Sequence, residues 1–288
     1  MSIKQVLREK KVQFASAGVS EIDAELILAF VLGVERMDLH ARDFDLNHEQ
    51  LELLDELISK RISGKPTQYL IGQAPFRYLT FQVGPGVLIP RPESEALVDA
   101  ALIEIERINS IKGQSSRAPV SIVDLGSGSG ALAICIAHEA EKKNWPVKVI
   151  AVEKSDAALQ WLKRNIAALD VSVRLISGDV LEVLAGVKCD IVIANPPYVP
   201  DGDNLPELVV ANEPSEALFG GGDDGLEIPR RFIQAASDLL KPGGLLIMEH
   251  HESQALQLEA ELSKGYSQIN QNRDLNNRPR WISARREA

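Results

Sequence analysis

In the second half of this chain, apolar, β-branched runs break off abruptly at glycine or polar residues, and this pattern restricts the fold more than any other feature. Residues 120–125 stop at Gly126-Ser127-Gly128-Ser129-Gly130, and residues 147–152 stop at Glu153. Residues 171–176 stop at Ser177-Gly178-Asp179, and residues 190–194 at Asn195-Pro196-Pro197-Tyr198. Between them, residues 131–142 and 156–169 carry helical periodicity, and a helix at 228–240 precedes a fifth run at 244–249. Strand, turn and helix in repetition predict an α/β fold with a doubly wound, Rossmann-like parallel sheet. Such sheets bind ligands beyond the carboxyl ends of their strands, near the point where strand order reverses. Asp124, the glycines, Glu153, Asp179 and Asn195 all fall at that edge.

The residues at the edge suggest a ligand. Glycines let the backbone approach a bound group closely, and the following helix presents free N–H groups. Glu153, ending the next strand, can accept both hydroxyls of a ribose, which indicates a nucleoside-bearing cofactor, NAD or S-adenosylmethionine. The GxGxG spacing with Asp124 just before it leans toward S-adenosylmethionine, because a carboxylate beside the turn tolerates a cation better than a pyrophosphate. Asp179 is expected to accept from the adenine amino group and Val180 to cover the ring; capping a turn is the plainer role for Asp179. In Asn195-Pro196-Pro197-Tyr198 the prolines fix two φ angles and remove two donors, so neighbouring carbonyls are left free to accept. With the Asn195 side chain and the Tyr198 ring, they form a holder for a planar group bearing NH2. The plainer reading is a turn that ends strand pairing.

Residues 1–70 read as a helical bundle, a substrate-recognition domain whose plainer role is a stabilising cap. Ser20 with Asp23 opens one helix with Ile22, Leu26, Ala29 and Phe30 on a common face, ended by Gly33. Asn47 with Gln50 opens another. Residues 71–91 fit a β-hairpin linker, and residues 92–288 form the catalytic domain, beginning with a helix from Pro92 to about Ile108 and a polar loop at 109–118. The net charge of −10 provides no overall positive field for nucleic acid. Cys135 and Cys189 lack metal-ligand spacing, so no metal site is expected. No apolar stretch has membrane-spanning length, and the chain is expected to be soluble and cytoplasmic. His250 and His251 read as solvated loop residues.

Taken in order, these motifs resemble the HemK-type protein-glutamine N5-methyltransferases that modify peptide chain release factors. The resemblance runs through Gln68-Tyr69-Leu70-Ile71-Gly72, Leu88-Ile89-Pro90-Arg91-Pro92-Glu93-Ser94-Glu95, the glycine turn, Asn195-Pro196-Pro197-Tyr198 and Glu213-Pro214, to Arg273-Asp274-Leu275. It implies a class I methyltransferase sheet with S-adenosylmethionine as cofactor and S-adenosylhomocysteine as product. It implies that Gly126, Ser127, Gly128, Ser129, Gly130, Glu153, Val180 and Asn195 bind the cofactor, and that Asn195, Pro196, Pro197 and Tyr198 hold the substrate glutamine. Asn195, Pro196 and Tyr198 are then the catalytic residues. The implied partner is a peptide chain release factor, recognised without direct nucleic-acid or membrane contact by a monomer. A ribosomal-protein glutamine and an adenine N6 of nucleic acid are the alternative acceptors. The family usually has glycine near His251, where this chain departs from it. Pro90-Arg91-Pro92-Glu93 is implied to lie beside the glutamine pocket, although Arg91 and Glu93 could simply pair with each other.

Overall fold

The computed structural model describes residues 2–42, 44–112, 118–274 and 276–288. They fall into two compact units: Met1–Gln73 with Pro206–Asn212, and Ala74–Leu205 with Glu213–Ala288.

The first unit packs α1 (Ile3–Ser16), α2 (Glu21–Leu32), the short α3 (Asp38–Ala41), α4 (His48–Ile62) and α5 (Thr67–Ile71). Its core is apolar, built on Ile3, Phe14, Ile27, Leu28, Leu54 and Ile58. Asn47 and Gln50 form the expected reciprocal capping box on α4, each side chain accepting from the other's backbone N–H. Ser20 precedes α2 but makes no side-chain cap. The inward face of α2 is Ala24, Ile27, Leu28 and Ala29, whereas Ile22 and Phe30 are exposed. Nine of the twelve residues of this helix are apolar, so periodicity does not single out the inward stripe, and of the expected face only Ala29 is buried. Later in the chain Pro206–Asn212 joins this unit, where Asn212 Nδ2 donates to the Gly64 carbonyl at 2.9 Å.

The second unit opens with β1 (Gln73–Phe76) and β2 (Leu79–Gln82), a two-stranded sheet turning at Arg77, whose φ is 53°. The hairpin expected as a linker belongs to this unit from Ala74 onward. The Arg77 guanidinium reaches Glu139 at 2.5 Å and Asp99 at 2.8 Å, pinning the turn to the helices behind it. A single 3₁₀ turn at Pro92–Ser94 leads into α6 (Glu95–Lys112). The polar loop expected at 109–118 is therefore helical through Lys112, and residues 113–117 of it lie outside the described residues. So does Leu275 of the Arg273-Asp274-Leu275 motif.

The main sheet follows: β3 (Val120–Leu125), β4 (Val147–Glu153), β5 (Val173–Ser177), β6 (Cys189–Ala194), β7 (Leu240–Glu249), β8 (Tyr266–Arg273) and β9 (Pro279–Arg286). Helices α7 (Ala131–Lys142), α8 (Asp156–Ala168), α10 (Glu227–Leu239) and α11 (Ala255–Leu262) accompany it, and α9 (Glu207–Val210) lies in the segment of the first unit. The strand order is β5-β4-β3-β6-β7-β9-β8. Strands β3 to β7 pair in parallel, and β9 and β8 add an antiparallel edge that the sequence reading did not anticipate. Central β3 and β6 are buried almost throughout, which is why they read as unbroken apolar runs. Strand order reverses between β3 and β6, and a crevice opens there.

Candidate active site

Strand register brings the candidate residues together. Leu125 pairs with Val152 and with Ala194, and Ala194 pairs with Met248. One residue further along each strand, Gly126, Glu153, Asn195 and Glu249 stand side by side at the carboxyl edge. A cleft of about 1150 Å³, counted to its open mouth, lies above them. Gly126, Ser127, Gly128, Ser129, Glu153, Asp179, Val180, Asn195 and Pro197 line it. Asp124, Gly130, Pro196 and Tyr198 do not.

Gly126, Gly128 and Gly130 all adopt left-handed φ, at 68°, 56° and 88°. A Cβ on Gly130 would stand 2.5 Å from Leu162 Cδ1, and one on Gly126 would press on the Phe232 ring at 3.1 Å. On Gly128 it would meet only a Val87 methyl at 4.0 Å. Two of the glycines therefore serve packing, and Gly128 leaves backbone accessible. The Gly128 N–H donates to Glu153 Oε2, while Glu153 Oε1 accepts from the Lys154 and Ser155 N–H groups, each at 2.8 Å. Held by three backbone donors, the Glu153 carboxylate is fixed before any ligand arrives.

Asp124 sits beneath this turn, fully buried. Its Oδ2 accepts from the Ala133 N–H at the start of α7 at 3.2 Å, and its Oδ1 has no partner among the described residues. Burial raises its pKa to about 7. The carboxylate read as facing a cationic ligand thus faces a helix terminus from below. Asp179 stands at the cleft, but both its oxygens are engaged: Oδ1 accepts from the Leu181 N–H at 3.1 Å and Oδ2 from Arg231 at 2.9 Å. The turn-capping role and the cleft-lining role coexist in this one side chain.

At the other end of the cleft is a polar chain. Asn195 Nδ2 donates to Ser94 Oγ at 3.1 Å, and Ser94 Oγ donates to Glu249 Oε2 at 2.6 Å. Tyr198 Oη donates to Glu249 Oε1 at 2.8 Å. Glu249 is fully buried, and burial outweighs these two donors to raise its pKa to about 7. Burial and the Glu249 charge push the Tyr198 phenol upward, so it stays a donor. Gln254, itself buried, donates to the Tyr198 carbonyl at 2.8 Å and the Asp224 carbonyl at 2.7 Å. Among the described residues nothing donates to Asn195 Oδ1 or to the Pro196 carbonyl. These are the acceptors the proline-rich turn was expected to leave free.

Arg91 does not pair with Glu93: it reaches Glu213 at 2.5 Å, and the other Glu213 oxygen accepts from the Ile89 N–H at 3.0 Å. His250, expected to be solvated, is fully buried, its ring between the His251 carbonyl at 2.7 Å and Gln271 at 3.0 Å. Desolvation lowers its pKa, keeping it neutral. His251 has φ −68° and caps the short turn Glu252–Gln254 through its ring, so replacing the family's glycine strains nothing there. No group of His, Cys, Asp and Glu among the described residues is arranged to hold a metal ion. No helix among them is long and apolar enough to cross a membrane.

Sequence reasoning assigned nothing to Ser94, Glu249, Arg231 or Glu213. Glu249 carried a signal, a carboxylate ending an apolar run as Glu153 does. Its partners come from distant segments, and only the register reveals them.

Residues 5–72 match the PrmC N-terminal domain family, and residues 111–223 match the methyltransferase small domain family. A release factor glutamine methyltransferase of Streptomyces coelicolor is 35% identical over 285 residues, covering 95% of this chain and 94% of that protein. One of Mycolicibacterium smegmatis is 39% identical over 281 residues, with the same coverage of 95% and 94%. Among solved structures, the T. thermophilus 16S rRNA N2 G1207 methyltransferase, in complex with AdoMet and guanosine, matches with a TM-score of 0.51. That match covers 75% of this chain and 50% of the other at 21% identity, a likeness of fold alone. With two relatives aligned over nearly their whole length and matching domain families in both units, this chain belongs to the release factor glutamine methyltransferases.

Proposed function

We propose that this chain transfers a methyl group from S-adenosylmethionine to the side-chain amide nitrogen of the glutamine in the Gly-Gly-Gln motif of peptide chain release factors. It does so as a cytoplasmic monomer, and the helical unit contributes to docking the protein substrate.

The cleft suits the cofactor. The accessible backbone at Gly128 and the fixed Glu153 carboxylate provide close approach and hydroxyl acceptors for a nucleoside, and Asp179, held by the Leu181 N–H and Arg231, stands at the cleft to accept from the adenine amino group. Ser127, Ser129 and Val180 complete the lining. Asp124 and Gly130 contribute from below by holding the turn. Bound there, S-adenosylmethionine supplies an electrophilic methyl on sulfonium.

An amide nitrogen is a poor nucleophile because its lone pair is delocalised into the carbonyl. The chain's contribution is orientation. Asn195 Oδ1 and the Pro196 carbonyl accept the two N–H hydrogens of the substrate amide and so fix the direction of its nitrogen. Pro197 keeps the turn rigid, and the Tyr198 ring packs beside the amide plane. Attack forms the nitrogen–methyl bond as the carbon–sulfur bond breaks. The alkylated nitrogen is then acidic enough to lose its surplus proton to water, so no general base is required. The neutral, buried His250 is consistent with this.

The observation that carries this reading is the Asn195 side chain, with its Nδ2 committed to Ser94 and its Oδ1 unengaged at the cleft. Mass spectrometry of unmethylated release factor after incubation with the protein and S-adenosylmethionine tests it. A gain of one methyl on the Gly-Gly-Gln glutamine is expected, with Asn195→Ala abolishing the gain while cofactor affinity stays largely in place. Label appearing instead on ribosomal protein or nucleic acid overturns the substrate assignment, and equal loss of transfer and cofactor affinity overturns the role given to Asn195.

A further inference from the structure

We infer that Glu249 and Ser94 are positioning residues that set which end of the Asn195 side-chain amide faces the substrate. This rests on the reading of Asn195 as the acceptor for the glutamine amide. An asparagine amide has two ends of similar shape and opposite polarity. If the NH2 end faced the cleft, it would oppose the substrate's own NH2 and the site could not hold it. Something must therefore fix the rotamer, and Asn195 cannot do so alone.

With Glu249 ionised, the structure has a chain of donors with one permitted direction. Glu249 is a fully buried carboxylate that makes no direct ion pair among the described residues, although the Arg280 charge acts on it and favours its ionised form. Two hydroxyls point at it, Tyr198 Oη at 2.8 Å and Ser94 Oγ at 2.6 Å, the latter within the range of a charge-assisted bond. A hydroxyl has one hydrogen. Once Ser94 gives its hydrogen to Glu249, its oxygen can only accept, so the group 3.1 Å away on Asn195 must be the NH2 end. Oδ1 is thereby turned to the cleft. The same carboxylate holds the Tyr198 phenol, so one buried charge orders both the acceptor and the aromatic of the turn. For stability alone an apolar side chain at the end of β7 would serve better, since a fully buried carboxylate in no direct ion pair is costly.

Glu249→Gln is close to isosteric but breaks the direction of the chain. Its amide can offer a donor to Ser94, which frees the Ser94 hydrogen to point at Asn195 and invites the flipped rotamer. Ser94→Ala removes the link, and Ser94→Thr keeps the hydroxyl. The assay measures kcat and KM on a Gly-Gly-Gln peptide, with cofactor affinity by calorimetry and the Asn195 side-chain amide signals by ¹⁵N NMR. Expected for Glu249→Gln and Ser94→Ala is a fall in kcat of about 10- to 100-fold at nearly unchanged cofactor affinity. The Asn195 amide signals should shift as well, with Ser94→Thr restoring both kcat and the signals. Ser94→Ala with wild-type kcat and unmoved signals overturns the inference, as does a loss of kcat that Ser94→Thr does not restore. If the wild-type protein methylates no Gly-Gly-Gln substrate, the functional reading falls. The positioning role is then decided by the signals alone, and an Asn195 amide unmoved by Ser94→Ala overturns it.

Discussion

Asp124 shows how burial can reverse what a residue type suggests. With no cation beside it and one oxygen unpartnered, the side chain is costly to ionise, and burial raises its pKa from 3.8 to about 7. The sign of the consequence follows from proton counting. Below pH about 4 folded and unfolded chains both hold the proton; between about 4 and 7 only the folded chain does, so stability falls as pH rises across that window. Asp124→Asn removes this dependence while keeping an acceptor for the Ala133 N–H. Between pH 5 and pH 8 the variant should gain on the wild type by roughly 3 kcal/mol, on top of a constant offset for its new NH2. Urea midpoints at several pH values measure it, and parallel pH profiles for the two proteins would show that Asp124 is not the group responsible. The position of Asp124, directly before the glycine turn, was legible in the sequence. Its orientation was not, because residues alternating along a strand give no sign of whether the last side chain points at the ligand or beneath the turn.

At the scale of elements, the glycine turn divides into residues that serve packing and a residue that serves access. Gly130→Ala drives a methyl toward Leu162 and Ile134 at a left-handed φ, which should cost roughly 2–4 kcal/mol of stability by adding overpacking to backbone strain. Gly128→Ala has the strain without the collision and should cost only about 1–2 kcal/mol. Its methyl enters the cleft beside the Glu153 contact, so cofactor affinity should fall by more than stability does. Denaturation midpoints and cofactor titration separate the two. If Gly128→Ala bound the cofactor as well as the wild type, backbone approach at this turn would not be how the site works. The strands and helices around the turn were legible because their burial is two-sided or strongly periodic. The antiparallel β8 and β9 were not. Their sequences, Tyr266–Arg273 and Pro279–Arg286, are largely polar or charged; β8 is the edge strand and β9 lies next to it, where no continuous apolar run is required. The stripe of α2 was misread for the converse reason, too many apolar positions to choose among.

At the scale of the whole molecule, the two units have separate apolar cores, and the chain leaves the second unit at Pro206 and returns to it at Glu213. A simple deletion of the N-terminal helices would strand Pro206–Asn212, with Asn212 deprived of its Gly64 partner, so docking is better tested on the intact chain. Separate cores predict separable thermal transitions, and the candidate site uses side chains of the second unit alone. S-adenosylhomocysteine should therefore raise the transition of the second unit and leave that of the first where it was. At a hundred times its Kd the stabilisation should be about 2.7 kcal/mol, which for a unit of this size is a shift of several degrees. Scanning calorimetry with and without the ligand reads this directly, and tryptophan fluorescence assigns the transition, because Trp145, Trp161 and Trp281 all lie in the second unit. Equal movement of both transitions, or a single transition that moves as a whole, would mean that the helical unit is stabilised through the catalytic one. A role for the helices in docking alone would then be too small, since any release factor bound to them would also bias the fold that carries Asn195.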